Sequence, residues 1–275
     1  MTINCNGNLI DLSIPKVMGI LNLTPDSFFD GGQYSTESRI MNHIELMLSE
    51  GADFIDIGAY SSRPGAEFVS ETQELERILP VVKAIIKQFP DIILSIDTFR
   101  SGVARQCVDN GAAIINDISA GNLDDSMMET VAALQVPYIM MHMKGTPQTM
   151  QGLTQYSDIV KEMLFYFSEK VRMARSLGIN DLIIDPGFGF AKDKEQNYEV
   201  LRKMELFTMM ELPLLAGVSR KSMIYKTLGT DAENALNGTT VLSTIALMKG
   251  ANIIRVHDVK EAIECVRLYR EIAKA

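Results

Sequence analysis

Tryptophan is absent from this chain, and cysteine and histidine occur only three times each in 275 residues. Cys5, Cys107 and Cys265 are odd in number and far apart, with no CxxC pair and no Cys/His spacing. That argues against a disulfide framework and a structural zinc site, and points to reduced thiols in a cytoplasmic protein. Missing too are HExxH, a repeated Asp-rich segment, GxGxxG and GxxxxGK[ST], so clustered metal sites and dinucleotide or P-loop nucleotide binding lose support. Basic residues are few, 26 Lys and Arg against 35 Asp and Glu, for a net charge of -9 and a pI near 4.9. A surface for nucleic acid or anionic membrane needs a clustered excess of the opposite kind. A pocket of two or three cations for a small anion would not show in that total. No unbroken apolar run is long enough to span a bilayer, and the opening MTINCNGNLIDLS lacks a basic segment followed by an apolar one. Membrane insertion and secretion are therefore not expected.

What the chain does have is alternation. Its 47% hydrophobic residues suffice for a large core, with seventeen Met suggesting an adaptable one. Eight apolar runs of strand length fall at 16–21, 53–57, 92–96, 113–115, 136–141, 182–184, 214–218 and 252–256. A helix-period segment follows each: from Thr36 or Ser38 to Glu50, then 71–89, 100–109, 126–134, 158–177, 194–207, two pieces reaching Met248, and 260–274. Strict β/α alternation predicts a parallel sheet, and eight units in this length predict a (β/α)8 TIM barrel, read as one domain over 1–275 with a short N-terminal hairpin or cap at 1–15 and the barrel at 16–275. A doubly wound open sheet is the competing arrangement. The barrel is preferred because polar, chemically capable residues stand at or just past every strand end: Asn22, Ser61, Asp97, Asn116, His142, Asp185, Lys221 and His257. An open sheet needs such residues only beside its switch point, whereas a barrel gathers all eight ends at one mouth.

Asp97, Asn116 and Asp185 would bring two carboxylates and an amide to that mouth, suited to the flat amino-imine edge of a guanidine-like heterocycle; helix capping is the plainer role for each alone. Arg63, Arg255 and His257 form a cationic set fit for a diphosphate or carboxylate, two of them flanking the last strand, where barrels often hold phosphate. Lys221 could reach across the mouth to a ring atom. Ser219 and Ser222 beside it could hold a carboxylate, ordinary N-capping being the alternative. Asn22 is adequate for a Mg2+ held by one protein oxygen, water and a substrate phosphate. His142 is given no catalytic role.

At this point the residues are recognisable. MGILNLTPDSFFDGG, SSRPG, SIDTFR, GAAIINDISAG, MMHMKGTPQTMQ, LIIDPGFGFAK, AGVSRKS and IIRVHD, in that order, resemble the dihydropteroate synthase family over nearly the whole chain. The resemblance implies a barrel that condenses dihydropterin diphosphate with p-aminobenzoate, releases pyrophosphate, uses Mg2+ and is usually a homodimer. Residue by residue, it implies Asn22 as the metal contact and part of the diphosphate site, with Ser62, Arg63, Arg255 and His257. It implies Asp97, Asn116, Asp185, Lys221 and Arg255 around the pterin, with Asp97, Asp185, Lys221 and Arg255 acting in catalysis. Phe28, Ser62, Pro64, Phe190, Ser219 and Ser222 would line the p-aminobenzoate pocket. The chain departs from the family at Phe29, Tyr60, Ser62 and Ala191, where Ser, Glu, Thr and Gly are more usual. A methyl-transferring pterin barrel working with a corrinoid is the nearest rival, and Arg63, Arg255 and the NLTPDSF loop speak against it.

Overall fold

A computed structural model of the chain describes residues 1–23, 33–60 and 69–274. It opens with a hairpin, β1 (Thr2–Cys5) paired antiparallel with β2 (Asn8–Asp11). The two turn residues, Asn6 and Gly7, both take positive φ, 51° and 86°, as a tight hairpin of this hand requires. Eight strands follow: β3 (Lys16–Asn22), β4 (Phe54–Gly58), β5 (Leu94–Asp97), β6 (Ile114–Asp117), β7 (Tyr138–Met141), β8 (Leu182–Asp185), β9 (Leu215–Ala216) and β10 (Ile253–Val256). All pair in parallel, β8 through β3 in descending order and then β10 and β9. A bridge from Ile184 to Leu214 brings β8 against the residue before β9, and this joins the two ends of the sheet. The expected eight-stranded α/β barrel is therefore present.

Helices α1 (Gln33–Glu50), α2 (Glu71–Gln88), α3 (Ser101–Val108), α4 (Met127–Leu134), α5 (Ile159–Ser176), α6 (Lys194–Arg202), α7 (Ser222–Leu228), α8 (Leu236–Met248) and α9 (Val259–Lys274) alternate with the barrel strands. Several starts are written into the sequence. Ser70 and Gln73 make a reciprocal capping box at α2, Asp193 and Gln196 do so at α6, and Asp158 caps α5 through the Lys161 N–H.

Three expectations shift in detail. The helix read over 194–207 ends at Arg202, because Lys203 leaves the helical region at ψ 14° and the chain continues as a 3-10 segment, Met204–Met210. Three residues per turn keep Met204 and Phe207 on one buried side. The strand read over 214–218 shrinks to Leu215–Ala216, because the chain turns at once and the Lys221 N–H donates to the Val218 carbonyl. Helix α1 begins at Gln33, so Thr36 and Ser38 lie inside it rather than capping it.

Buried strands on both faces explain the near-continuous apolar runs. Outward residues such as Val17, Ile55, Ile115 and Ile184 pack with the helices in one large core. Inward residues form a second, smaller cluster of Met18, Phe54, Ile114, Ile139, Ile183, Leu215 and Ile253, joined by Ile3, Cys5 and Leu12 of the N-terminal segment. The hairpin thus seals the barrel's N-terminal end with apolar side chains. One pleat nearer the other end, most of the inward positions become polar.

Candidate active site

Side chains two residues apart in a strand share a face, so the inward series Phe54 to Asp56, Ile93 through Ser95 to Asp97, Ile114 to Asn116, Ile183 to Asp185 and Ile253 to Arg255 climbs from the apolar floor to a polar layer. Register brings them into line: Asp56 pairs with Ser95, Asp97 with Asn116, and Met141 with Asp185. Gly58 makes room for this, since a Cβ there would stand 3.3 Å from Cβ of Asp97.

Arg255 is the hub of the layer. Its Nε donates to Oδ2 of Asp56 at 2.6 Å and an Nη donates to Oδ2 of Asp97 at 2.8 Å. Burial works against the guanidinium charge, but Asp56 and Asp97 outweigh it and hold the group firmly protonated. Burial pushes the Asp97 carboxyl upward against the pull of Arg255, and Asp56 adds a like charge. Asn116 donates from Nδ2 to the same Asp56 oxygen at 3.0 Å.

Asp185 sits across the mouth, nearly buried, with Oδ1 accepting from the Gly187 N–H at 2.8 Å. Burial raises its carboxyl, with Lys221 pulling the other way. Lys221 donates to the Phe188 carbonyl and places its ammonium 4.8 Å from the centre of the Phe190 ring. Burial lowers its ammonium to about 8. The loop over residues 186–192 that carries these contacts is tightly coiled. Gly187, Gly189 and Ala191 have φ of 66°, 82° and 49°, a left-handed conformation that glycine takes at less cost than the alanine present at 191.

Lys192 braces that loop from beneath. Its buried ammonium lies 2.9 Å from the Gly187 carbonyl, 3.0 Å from that of Phe190 and 3.1 Å from Nδ1 of His142. Burial, with Lys192 and Lys144 nearby, lowers His142 to about 2, so the ring is neutral and Nδ1 accepts. His142 is thus part of the loop's support, in keeping with the absence of a catalytic role. Replacing Lys192 with Met removes the donor that the Phe190 carbonyl and Nδ1 of His142 share, while the Gly187 carbonyl keeps the Phe190 N–H at 3.1 Å. The expected result is a loss of roughly 2 kcal/mol of stability, read as a lowered midpoint in urea unfolding; an unchanged midpoint would show that the loop holds itself.

Ser219 and His257 meet at the end of β10. Ser219 Oγ lies 3.0 Å from Nδ1 of His257 and accepts the His257 backbone N–H at 3.1 Å. Neither Ser219 nor Ser222 caps α7: the cap position is Lys221, without a side-chain bond, and Ser222 is the first helical residue. Asn22 is the last residue of β3, opposite Gly58, and is partly exposed. Among the described residues no group of three or more His, Cys, Asp or Glu could hold a metal. Phe28, Phe29, Ser61, Ser62, Arg63 and Pro64 lie outside the described residues.

Asp97, Asn116, Asp185, Lys221 and Arg255 are therefore brought to one rim, with Phe190, Ser219 and His257 beside them. Sequence reasoning missed Asp56 and Lys192. Asp56 is hidden in FIDIG as the single acid of an otherwise apolar strand, and that isolation is the signal that could have found it.

The chain matches the model of the family described as "Pterin binding enzyme" over residues 18–257. It is 43% identical over 270 residues to a dihydropteroate synthase of Escherichia coli K12, covering 98% of this chain and 95% of that protein. It is 40% identical to one of Haemophilus influenzae, covering all of both. Among solved structures it superposes with a TM-score of 0.93 and 41% identity on the dihydropteroate synthase of Yersinia pestis in a sulfonamide drug complex, over the full length of both chains. It superposes at 0.92 and 36% on that of Xanthomonas albilineans with 4-aminobenzoic acid, over all of this chain and 98% of the other.

Proposed function

The chain belongs to the dihydropteroate synthases, within the pterin-binding enzyme family, and from that premise we propose how its barrel mouth works. It joins 6-hydroxymethyl-7,8-dihydropterin diphosphate to p-aminobenzoate, forms the C–N bond of 7,8-dihydropteroate and releases pyrophosphate, a transferase step of folate biosynthesis. The observation that carries the residue assignment is the single polar layer holding Asp97, Asn116, Asp185, Lys221 and Arg255 above an apolar floor. Two carboxylates and an amide oxygen accept from the amino-imine edge of the pterin, and Lys221 donates to a ring acceptor.

Substitution is dissociative. Arg255 and His257, with Ser62 and Arg63, hold the diphosphate as its bond to the methylene lengthens. Asp97 and Asp185 stabilise the positive charge that spreads into the ring. The arylamine then attacks the methylene carbon, and its proton leaves afterwards, so no strong general base is needed. Phe28, Ser62, Pro64, Phe190, Ser219 and Ser222 line the p-aminobenzoate side, where Ser219 is already oriented by His257.

The donor set fits a Mg2+ ion of the kind that keeps most of its waters: Asn22 offers one neutral amide oxygen at the rim, and no cluster of ionised ligands stands among the described residues. When bound there, Mg2+ would supply positive charge to the departing pyrophosphate. The proposal includes a homodimer in the cytoplasm.

The test is a pyrophosphate-release assay with dihydropterin diphosphate, run with and without p-aminobenzoate and with and without EDTA. Release that requires p-aminobenzoate and falls on chelation is expected. Tight pterin binding with no release would leave only a pterin-binding protein.

A further inference from the structure

Asp56 is fully buried beneath the rim, and its carboxylate accepts three side-chain hydrogen bonds. Oδ1 accepts the Ser95 hydroxyl at 2.6 Å, and Oδ2 accepts both Asn116 Nδ2 at 3.0 Å and Arg255 Nε at 2.6 Å. Directly below it lies the apolar floor of Phe54, Ile114 and Ile253. A charge in such a place is costly unless it organises its surroundings, and an apolar side chain would pack there as well.

The organising effect follows from a simple asymmetry. A carboxylate only accepts hydrogen bonds, whereas an amide has one branch that donates and one that accepts. With Asp56 beneath it, Asn116 must turn its Nδ2 downward, and Oδ1 becomes the branch left for a ligand. Asp97 and Asp185, in their ionised form, offer only acceptors as well. Asp97, Asn116 and Asp185 therefore present acceptors together, which suits the donor-rich edge of an aminopterin, while Lys221 is left to donate to a ring acceptor. Rotated the other way, the Asn116 amide would set an N–H against the ring's own N–H. The same Asp56 oxygen holds Arg255 by Nε, which leaves the guanidinium's Nη atoms to reach Asp97 and the substrate.

We propose that Asp56 is a positioning residue for pterin recognition: it sets the polarity of the Asn116 amide and anchors Arg255 by Nε. This rests on the pterin reading of the rim given above. A conservative variant separates polarity from mere packing. In Asp56→Asn, the new amide oxygen can accept from Asn116 and Arg255 while its Nδ2 donates to the Ser95 hydroxyl, so the direction of every bond at the substrate side is kept. In Asp56→Leu nothing accepts, and the Asn116 amide is released.

Binding of 6-hydroxymethylpterin is measured by calorimetry for wild type and both variants, with KM for each substrate. Asp56→Asn is expected to bind the pterin within about threefold of wild type. Asp56→Leu is expected to bind it roughly tenfold or more weakly, with KM for p-aminobenzoate within about threefold of wild type. Equal weakening toward both substrates, or the same pterin affinity in all three proteins, overturns the inference. Should Asp56→Leu fail to fold, the wild-type enzyme labelled with 15N-asparagine still decides. The Asn116 side-chain amide protons are expected to stay engaged with Asp56, with little shift when 6-hydroxymethylpterin binds; protons that transfer their hydrogen bond to the ring overturn it. Wild type that binds no pterin at all removes the reading beneath, and the inference with it.

Discussion

Asp185→Asn is expected to lower kcat/KM on the order of 10²-fold or more while leaving the unfolding midpoint unchanged or slightly raised. The substitution keeps an oxygen for the Gly187 N–H, which the carboxylate holds at 2.8 Å, so the loop after β8 has no reason to open. The charge is a different matter. Burial raises the Asp185 carboxyl above its ordinary range. A carboxyl whose folded-state value lies above its unfolded value holds more protons folded than unfolded in the window between them, so stability falls as pH rises through that window. At neutral pH the ionised group therefore costs stability, and a neutral amide relieves that cost. Catalysis moves the opposite way, because the carboxylate's charge is what stabilises a developing pterin cation. Steady-state kinetics and thermal unfolding on one preparation would check both halves. A parallel loss of activity and stability would mean that Asp185 is a structural residue and the assigned role is wrong.

Arg255→Met is expected to fail on both counts. Its guanidinium is the counter-charge of two carboxylates, Asp56 at 2.6 Å and Asp97 at 2.8 Å, one wholly buried and the other mostly so. Removing one partner of a buried ion pair strands the other, at a cost of roughly 3 kcal/mol. The loss of a cation beside both the ring and the leaving group adds on the order of 10²-fold in kcat/KM. The stability deficit should also depend on pH in a set direction. Arg255 lowers the Asp97 carboxyl against the upward push of burial and of Asp56. Without it the carboxyl rises further, and the folded state binds a proton that the unfolded state releases. Stability of the variant should therefore recover as pH falls from 8 toward 6, more than wild type gains over the same range. Unfolding midpoints at the two pH values measure this. A variant as stable as wild type at pH 8 would show that Arg255 carries no structural charge balance.

The hidden acid and the brace show why some of the site could be read from the chain and some could not. Asp97 and Asp185 announce themselves because each ends an apolar run and opens a loop, a place where a carboxylate has a job to do. Asp56 lies inside its strand with apolar neighbours on both sides, and its purpose appears only when β5, β6 and β10 lay Ser95, Asn116 and Arg255 around it. Lys192 likewise looks like one more surface lysine until the coiling of 186–192 folds its ammonium under the loop's own carbonyls. The serines beside Lys221 carry the opposite lesson. Their spacing suited helix caps, yet the helix begins one residue after Lys221, and Ser219 turns to His257 instead.

By itself the chain determined the barrel and most of its rim, since period-two and period-3.6 burial patterns and strand-end polarity are local properties that survive in a linear text. Which donors face which acceptors was decided only in three dimensions. Hydrogen-bond polarity at a buried carboxylate depends on neighbours from strands far apart in sequence, and no local pattern encodes them.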